Sequence, residues 1–136
     1  MGASDSTPRK LTAADVPANT RRGGDLRVLL SPTTAGATSG FFGQLTLEPG
    51  EYVSEHYHPY SEEFLYVVTG RLTLRVDGTD LALEPGEAVM VPIGARHRLT
   101  NTGAERAFVV FSLSPLAPSP ELGHVNTEPL PEGAAR

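Results

Sequence analysis

Residues 50–70 read GEYVSEHYHPYSEEFLYVVTG and residues 86–101 read GEAVMVPIGARHRLTN, and these two stretches decide the fold. In the first, Tyr52 to His58 reads as a strand, so His56 and His58, two residues apart, point to the same face. Pro59-Tyr60-Ser61 makes a loop, Glu63 to Val68 is an apolar, β-branched strand, and Thr69-Gly70-Arg71 turns the chain. In the second stretch, Ala88 to Val91 is a strand, Pro92-Ile93-Gly94 a turn and His97 to Asn101 a strand. Each stretch opens on the same turn, Glu48-Pro49-Gly50-Glu51 and Glu84-Pro85-Gly86-Glu87, as expected of two hairpins that face each other.

Outward from this pair, Leu26 to Leu30, Phe41 to Leu47, Leu72 to Val76, Leu81 to Leu83 and Ala107 to Leu113 read as further strands, with a hairpin turn at Asp77-Gly78. Strands recur at intervals of roughly eight to twelve residues and helical periodicity is nowhere sustained, so the class is all-β, a sandwich or a barrel. Leu11 to Pro17 has room for one short helical turn, Arg21-Arg22-Gly23-Gly24 is a turn, and Ser31 to Gly40 reads as a loop. The expected organisation is a flexible tail over residues 1–10, a β-barrel domain over 11–113 and an extension over 114–136. Pro115, Pro118, Pro120, Pro129 and Pro131 keep that extension from forming a regular helix or central strand. It is either loose or strapped along the body or along a partner subunit.

The 136 residues suit one domain with a real core, 39% of them apolar and 20% charged. A net charge of -5 argues against nucleic acid or an anionic membrane as partner. There is no cysteine, which excludes disulfides and thiolate ligands and fits a cytoplasmic protein. Met1 to Lys10 has no apolar segment of signal-peptide type, and no apolar run has membrane-spanning length.

A histidine pair on one strand face is ambiguous by itself. Glu63 opens an apolar strand, where an unpaired inward carboxylate would be costly. His97 follows a turn that can swing its strand back toward the pair. Three imidazoles and one carboxylate suit zinc, iron, manganese, nickel or cobalt, and suit calcium or magnesium poorly. Glu62 stands beside Glu63, and a shift of one residue would exchange their faces.

The spacing Gly50-x5-His56-x-His58-x4-Glu63-x6-Gly70, followed after 15 residues by Gly86-x5-Pro92-x-Gly94-x2-His97-x3-Asn101, resembles the two motifs of the cupin superfamily at every defined position. The resemblance implies a single-domain jelly roll, a double-stranded β-helix barrel, with His56, His58, Glu63 and His97 as ligands of one divalent metal inside it. Gly50, Gly70, Gly86 and Gly94 fall where turns need a positive φ or a close approach. Further stretches narrow the likeness: Arg22 to Pro32, Gly36 to Phe41, Ser54 to Phe64 and Leu113 to Pro118. From about residue 10 to 131 they make the chain similar to the small cupin cyclases of bacterial aromatic (type II) polyketide pathways, of tetracenomycin, resistomycin and spore-pigment type.

That likeness implies a metal-dependent enzyme closing a ring of a poly-β-keto intermediate by intramolecular aldol condensation. His56, His97 and Glu63 are the catalytic candidates. Zinc is the favoured metal, with iron, manganese or nickel as alternatives, and the substrate is free or bound to a carrier protein. Small cupins commonly form homodimers, with segments 11–30 and 107–125 as candidates for exchange. A dioxygenase or oxygenase on the same ligands and a non-enzymatic accessory subunit of a synthase complex are the rival functions. Candidate cavity-wall residues are Phe41, Gln44, Tyr52, Tyr66, Met90, Phe108 and Phe111. Arg71, Arg75, Arg96 and Arg98 read as solvated flanks, with Arg96 placed to meet an acidic substrate, and His124 reads as a surface histidine.

Overall fold

The computed structural model describes residues 6–132. Strands run in the order β1 (Asp25–Leu30), β2 (Phe41–Leu47), β3 (Tyr52–Tyr57), β4 (Glu62–Thr69), β5 (Leu72–Val76), β6 (Thr79–Leu83), β7 (Ala88–Val91), β8 (His97–Asn101), β9 (Ala107–Ser114) and β10 (Val125–Asn126). They form two five-stranded antiparallel sheets, β1-β2-β9-β4-β7 and β10-β3-β8-β5-β6, whose long crossovers give the jelly roll. We call them the first and second sheet. Half of the expected tail, residues 1–5, lies outside the described residues.

Period-two patterning builds the core between the sheets. In β9, Ala107, Val109, Phe111 and Leu113 are buried and alternate with half-exposed residues. Leu45 and Leu47 of β2, Leu65 and Val67 of β4, Leu72 and Leu74 of β5 and Leu99 of β8 meet them.

The two Glu-Pro-Gly-Glu turns are built alike. In each, the last glutamate's amide donates to the first glutamate's carbonyl, Glu51 to Glu48 at 2.9 Å and Glu87 to Glu84 at 3.1 Å. Each last side chain also accepts from the first glutamate's amide, at 2.8 Å in both. Gly70 closes a third turn at φ 88°, and a Cβ there would lie 2.5 Å from Ala107 Cα, so only glycine fits. Asn101 pins the far end of β8: its buried amide donates to the carbonyls of Leu47 and Glu105, both at 2.8 Å, and its oxygen accepts from Gly103 at 2.9 Å.

One local reading changes, and one left open is decided. The segment 31–40 holds a one-turn helix, α1 (Pro32–Ala35), where the sequence reads as a loop. Ser31 caps it by accepting from the Thr34 amide, Thr34 Oγ1 accepts from the Ser31 amide, Pro32 opens it and Gly36 ends it at φ 68°. The proline-rich extension is neither loose nor away from its own chain. It runs back over the second sheet, where β10 pairs with the edge of β3, Val125 opposite Tyr57 and Asn126 opposite His56. Thr127 donates to the Glu55 carbonyl at 2.9 Å and Ser54 Oγ donates to the Pro129 carbonyl at 2.8 Å, which fastens the strap. Residues 107–114 lie at the centre of the first sheet, where β9 pairs with β2 and β4.

Candidate metal centre

His56 and His97 are direct cross-strand partners on β3 and β8 of the second sheet. A bulge after Val53 leaves His56 facing inward, and His58 follows just past the strand's end. Glu63 arrives from β4 of the opposite sheet. Its register is set by the inward, buried Leu65 and Val67, which share its parity, while Glu62 shares the outer face with Phe64 and Tyr66. The second motif is tied to the first through Gly94, whose amide donates to the His58 carbonyl at 2.9 Å.

The four groups converge. Glu63 Oε1 lies 3.0 Å from His97 Nε2 and 3.3 Å from His58 Nε2, and one donor atom from each of the four residues lies within 4.8 Å of all the others. Each imidazole is aimed by a backbone carbonyl that accepts from its Nδ1: Ser54 for His56 at 2.8 Å, Gly123 for His58 at 2.8 Å and Ala95 for His97 at 2.9 Å. A proton held at Nδ1 leaves Nε2 as the metal-binding nitrogen, the arrangement typical of histidine ligands. The donor set therefore fits a divalent transition metal. The strap supplies one of the three orienting carbonyls, that of Gly123.

Burial pushes the His56 imidazole down to about 2, helped by the neighbouring histidines. Burial alone would push the Glu63 carboxyl up, but hydrogen bonds from His58 and His97 outweigh it and hold Glu63 below the ordinary carboxylate range. Burial likewise opposes charge on His97, and the bond to Glu63 reverses it, so His97 is raised. His124 is lowered to about 4, first by burial and then by the Arg22 charge. His56 and His124 thus stay neutral in the folded chain where the unfolded chain takes up protons. Both contributions are full above the unfolded value of 6.5 and are lost as pH falls toward the folded values. His97, being raised, acts in the opposite sense: its contribution is present below the unfolded value of 6.5 and is lost as pH rises. The metal-free protein is expected to lose about 1.4 kcal/mol per pH unit for each of the two histidines from pH 6.5 down to 4, read as a falling Tm.

The remaining expectations divide. Phe41 and Phe111 face inward, ring edge to face with centroids 6.5 Å apart. Gln44 and Phe108 alternate with the buried residues of β2 and β9 and face outward, and Tyr66 and Met90 lie exposed on the same outer surface of the first sheet. Tyr52, on the outer face of the second sheet, stacks under the Arg98 guanidinium at 4.0 Å. In each case strand parity decided against the wall. Arg71, Arg75 and Arg98 pair with Glu84, Asp80 and Glu128, and Arg96 lies over the Tyr57 ring at 6.0 Å.

His124 is the residue the sequence reading missed. It is half-buried, not at the surface, and its ring stacks on His56 at 4.2 Å with the planes 12° apart. Its parity on the strap is that of Asn126, the cross-strand partner of His56, so it falls on the inner face. The available signal was the alternation His124-x-Asn126 beside a two-residue strand, too short to read among the prolines.

With the fold and cluster established, comparison with known proteins is informative. Residues 43–113 match the family model described as Cupin domain. The chain is 56% identical over 121 residues to the polyketide synthase protein CurC of Streptomyces cyaneus, covering 89% of this chain and 79% of that protein. It is 52% identical over 126 residues to the tetracenomycin polyketide synthase protein TcmJ of Streptomyces glaucescens, covering 93% and 85%. The solved structure of the polyketide cyclase RemF from Streptomyces resistomycificus superposes with a TM-score of 0.68 over 93% of this chain and 89% of that one, at 19% identity, a likeness of fold. The chain belongs to the cupin superfamily and is similar, along nearly all of its length, to polyketide synthase proteins of Streptomyces.

Proposed function

We propose that this chain is a metal-dependent aromatic polyketide cyclase, closing a ring of a poly-β-keto intermediate by intramolecular aldol condensation and dehydration. The observation that carries this is the convergence of His56, His58, Glu63 and His97 in a chain that is similar to polyketide synthase proteins over 89–93% of its length. His56, His58 and His97 through Nε2, and Glu63 through a carboxylate oxygen, would hold one divalent ion, with zinc favoured and iron, manganese or nickel compatible with the same donors. When bound, the ion supplies Lewis acidity toward a β-dicarbonyl oxygen.

The chain's own residues do the rest. Phe41 and Phe111 belong to the apolar core between the sheets, and a substrate drawn into that interior would be kept from water and held in one register. Glu63 is the one carboxylate of the cluster, so it serves either as fourth ligand or as the base that takes the α-proton onto a carboxylate oxygen. The α-carbon then attacks a second carbonyl carbon of the same chain, and loss of water from the aldol gives the unsaturated ring. The substrate is presented free or on a carrier protein.

A second copy of the chain is the partner we assign to the outer face of the first sheet. There Phe42, Phe64, Tyr66 and Met90 surround a shallow apolar groove of 360 Å³.

The test is a product profile from a type II synthase supplied with chelator-stripped protein or with the same protein after zinc, iron, manganese or nickel is restored. Ring closure is expected only in a restored sample, without oxygen uptake. Closure by stripped protein would remove the metal from the mechanism, and oxygen uptake on metal restoration would favour the oxygenase.

A further inference from the structure

Arg22 has no role in the site as described, yet its placement is closely specified. It sits in the Arg21-Arg22-Gly23-Gly24 turn, which lies flat against the start of β3. Gly23 adopts φ 112°, and a Cβ there would stand 1.9 Å from the Tyr52 carbonyl oxygen, so the turn is pinned to the second sheet. From this position Arg22 Nη1 donates to His124 Nδ1 at 2.8 Å. His124 Nε2 in turn donates to Asn126 Oδ1 at 2.8 Å, which fixes the neutral tautomer whose Nδ1 accepts. The His124 ring stacks on His56 at 4.2 Å, so the guanidinium is held one imidazole away from the four-residue cluster.

Among the described residues the charge on Arg22 has no counter-ion. Of the other described arginines of the barrel, Arg27, Arg71, Arg75, Arg98 and Arg106 each pair with a carboxylate, while Arg21 is exposed and Arg96 is exposed over Tyr57. Arg22 is half-buried, its side-chain partner is a neutral imidazole, and no carboxylate of the described residues pairs with it. The neighbouring charge is Arg21, and burial together with that charge lowers Arg22 from its ordinary value. A desolvated, unpaired cation is expensive to keep unless a ligand completes it. One of its five N–H donors is used on His124, which leaves the fork able to grip a planar pair of oxygens.

The geometry points to Arg22, docked on His124, as a substrate-positioning residue that receives an anionic oxygen of the polyketide, an enolate or a terminal carboxylate, beside the metal centre. The inference deepens the cyclase reading and rests on it for the substrate class. One anchor on the metal side and one at Arg22 would set which carbonyls of a flexible chain meet, which is how a cavity selects one ring over another.

The test is direct binding by calorimetry to the full chain, in metal-loaded and chelator-stripped forms. The probes are dimedone, a cyclic 1,3-diketone that is largely enolate at neutral pH, and benzoate, with cyclohexanone and benzamide as uncharged controls. Arg22→Gln is expected to weaken at least one anionic probe by about tenfold or more in both forms, leaving the controls unchanged. Loss of dimedone alone assigns the enolate, and loss of benzoate alone assigns the carboxylate. Arg22→Lys, which keeps the charge but not the fork, is expected to fall between the two. Equal binding of both anions by wild type and Arg22→Gln overturns the proposal. If Arg22→Gln does not fold, the Arg22 side-chain NMR signals of isotope-labelled wild type decide: a shift on adding either anion supports the proposal, and no shift at saturation overturns it. A chain that binds these anions through Arg22 but closes no ring would sink the cyclase reading and leave the subsite standing.

Discussion

His97→Ala is expected to yield a folded chain with sub-stoichiometric metal and no correctly closed product. His97 occupies the centre of the site in three ways. It is the cross-strand partner of His56, its Nε2 lies 3.0 Å from Glu63 Oε1, and its Nδ1 is held by the Ala95 carbonyl. Removing it deletes one donor of four and strips Glu63, nearly buried with 12% of its side chain exposed, of its closer hydrogen-bond donor. Loss of a Lewis acid worth several kcal/mol in transition-state charge stabilisation corresponds to a rate fall of at least about 100-fold. Metal analysis and the product profile measure the two effects together. A variant with full metal content and an unchanged ring pattern would remove His97 from both roles. Folding is expected to survive, because the surrounding barrel, Leu72, Leu74 and Leu99 included, does not depend on the imidazole.

The second large effect is expected from ending the chain at Ser114. The strap contributes the Gly123 carbonyl that aims His58, the ring of His124 stacked on His56, and the β10 strand that covers the edge of β3. Without the Gly123 carbonyl, His58 loses the bond that fixes its tautomer and orientation, a change that typically weakens metal affinity by about 10–100-fold. Ser54, 1% exposed in the full chain, also loses its acceptor at Pro129. Competition with a metal chelator reads the affinity, and circular dichroism reports whether the sheets persist. Unchanged affinity in a folded truncation would show that the strap merely covers the barrel. Gly123→Ala is the milder control, since the carbonyl remains.

The sequence carried most of the architecture because alternation and turn chemistry are local. Leu72 to Val76, Ala88 to Val91 and His97 to Asn101 can be read to the residue, and Asp77-Gly78 makes the expected tight turn with both residues at positive φ. The one-turn helix at Pro32–Ala35 escaped because its capping residues, Ser31 and Thr34, are equally common in loops. Tyr66 and Met90 are large and apolar and so suited a cavity wall. Their parity puts them outside, and parity relative to a core is known only once the register of β4 and β7 is known.

By itself, then, the sequence determined the all-β class, most of the strand positions along the chain and a set of histidines and glutamates at spacing that resembles the cupin motifs, since each is read from local patterns. Only the tertiary structure decided that Glu63 and not Glu62 faces the histidines, because that choice depends on pairing between β4 and its neighbours. Only it showed that the proline-rich segment returns to orient His58 and to stack His124 on His56, and that Arg22 reaches the same place with no counter-ion among the described residues. Those contacts span 65, 68 and 102 residues of sequence, and no local pattern encodes a meeting at that separation.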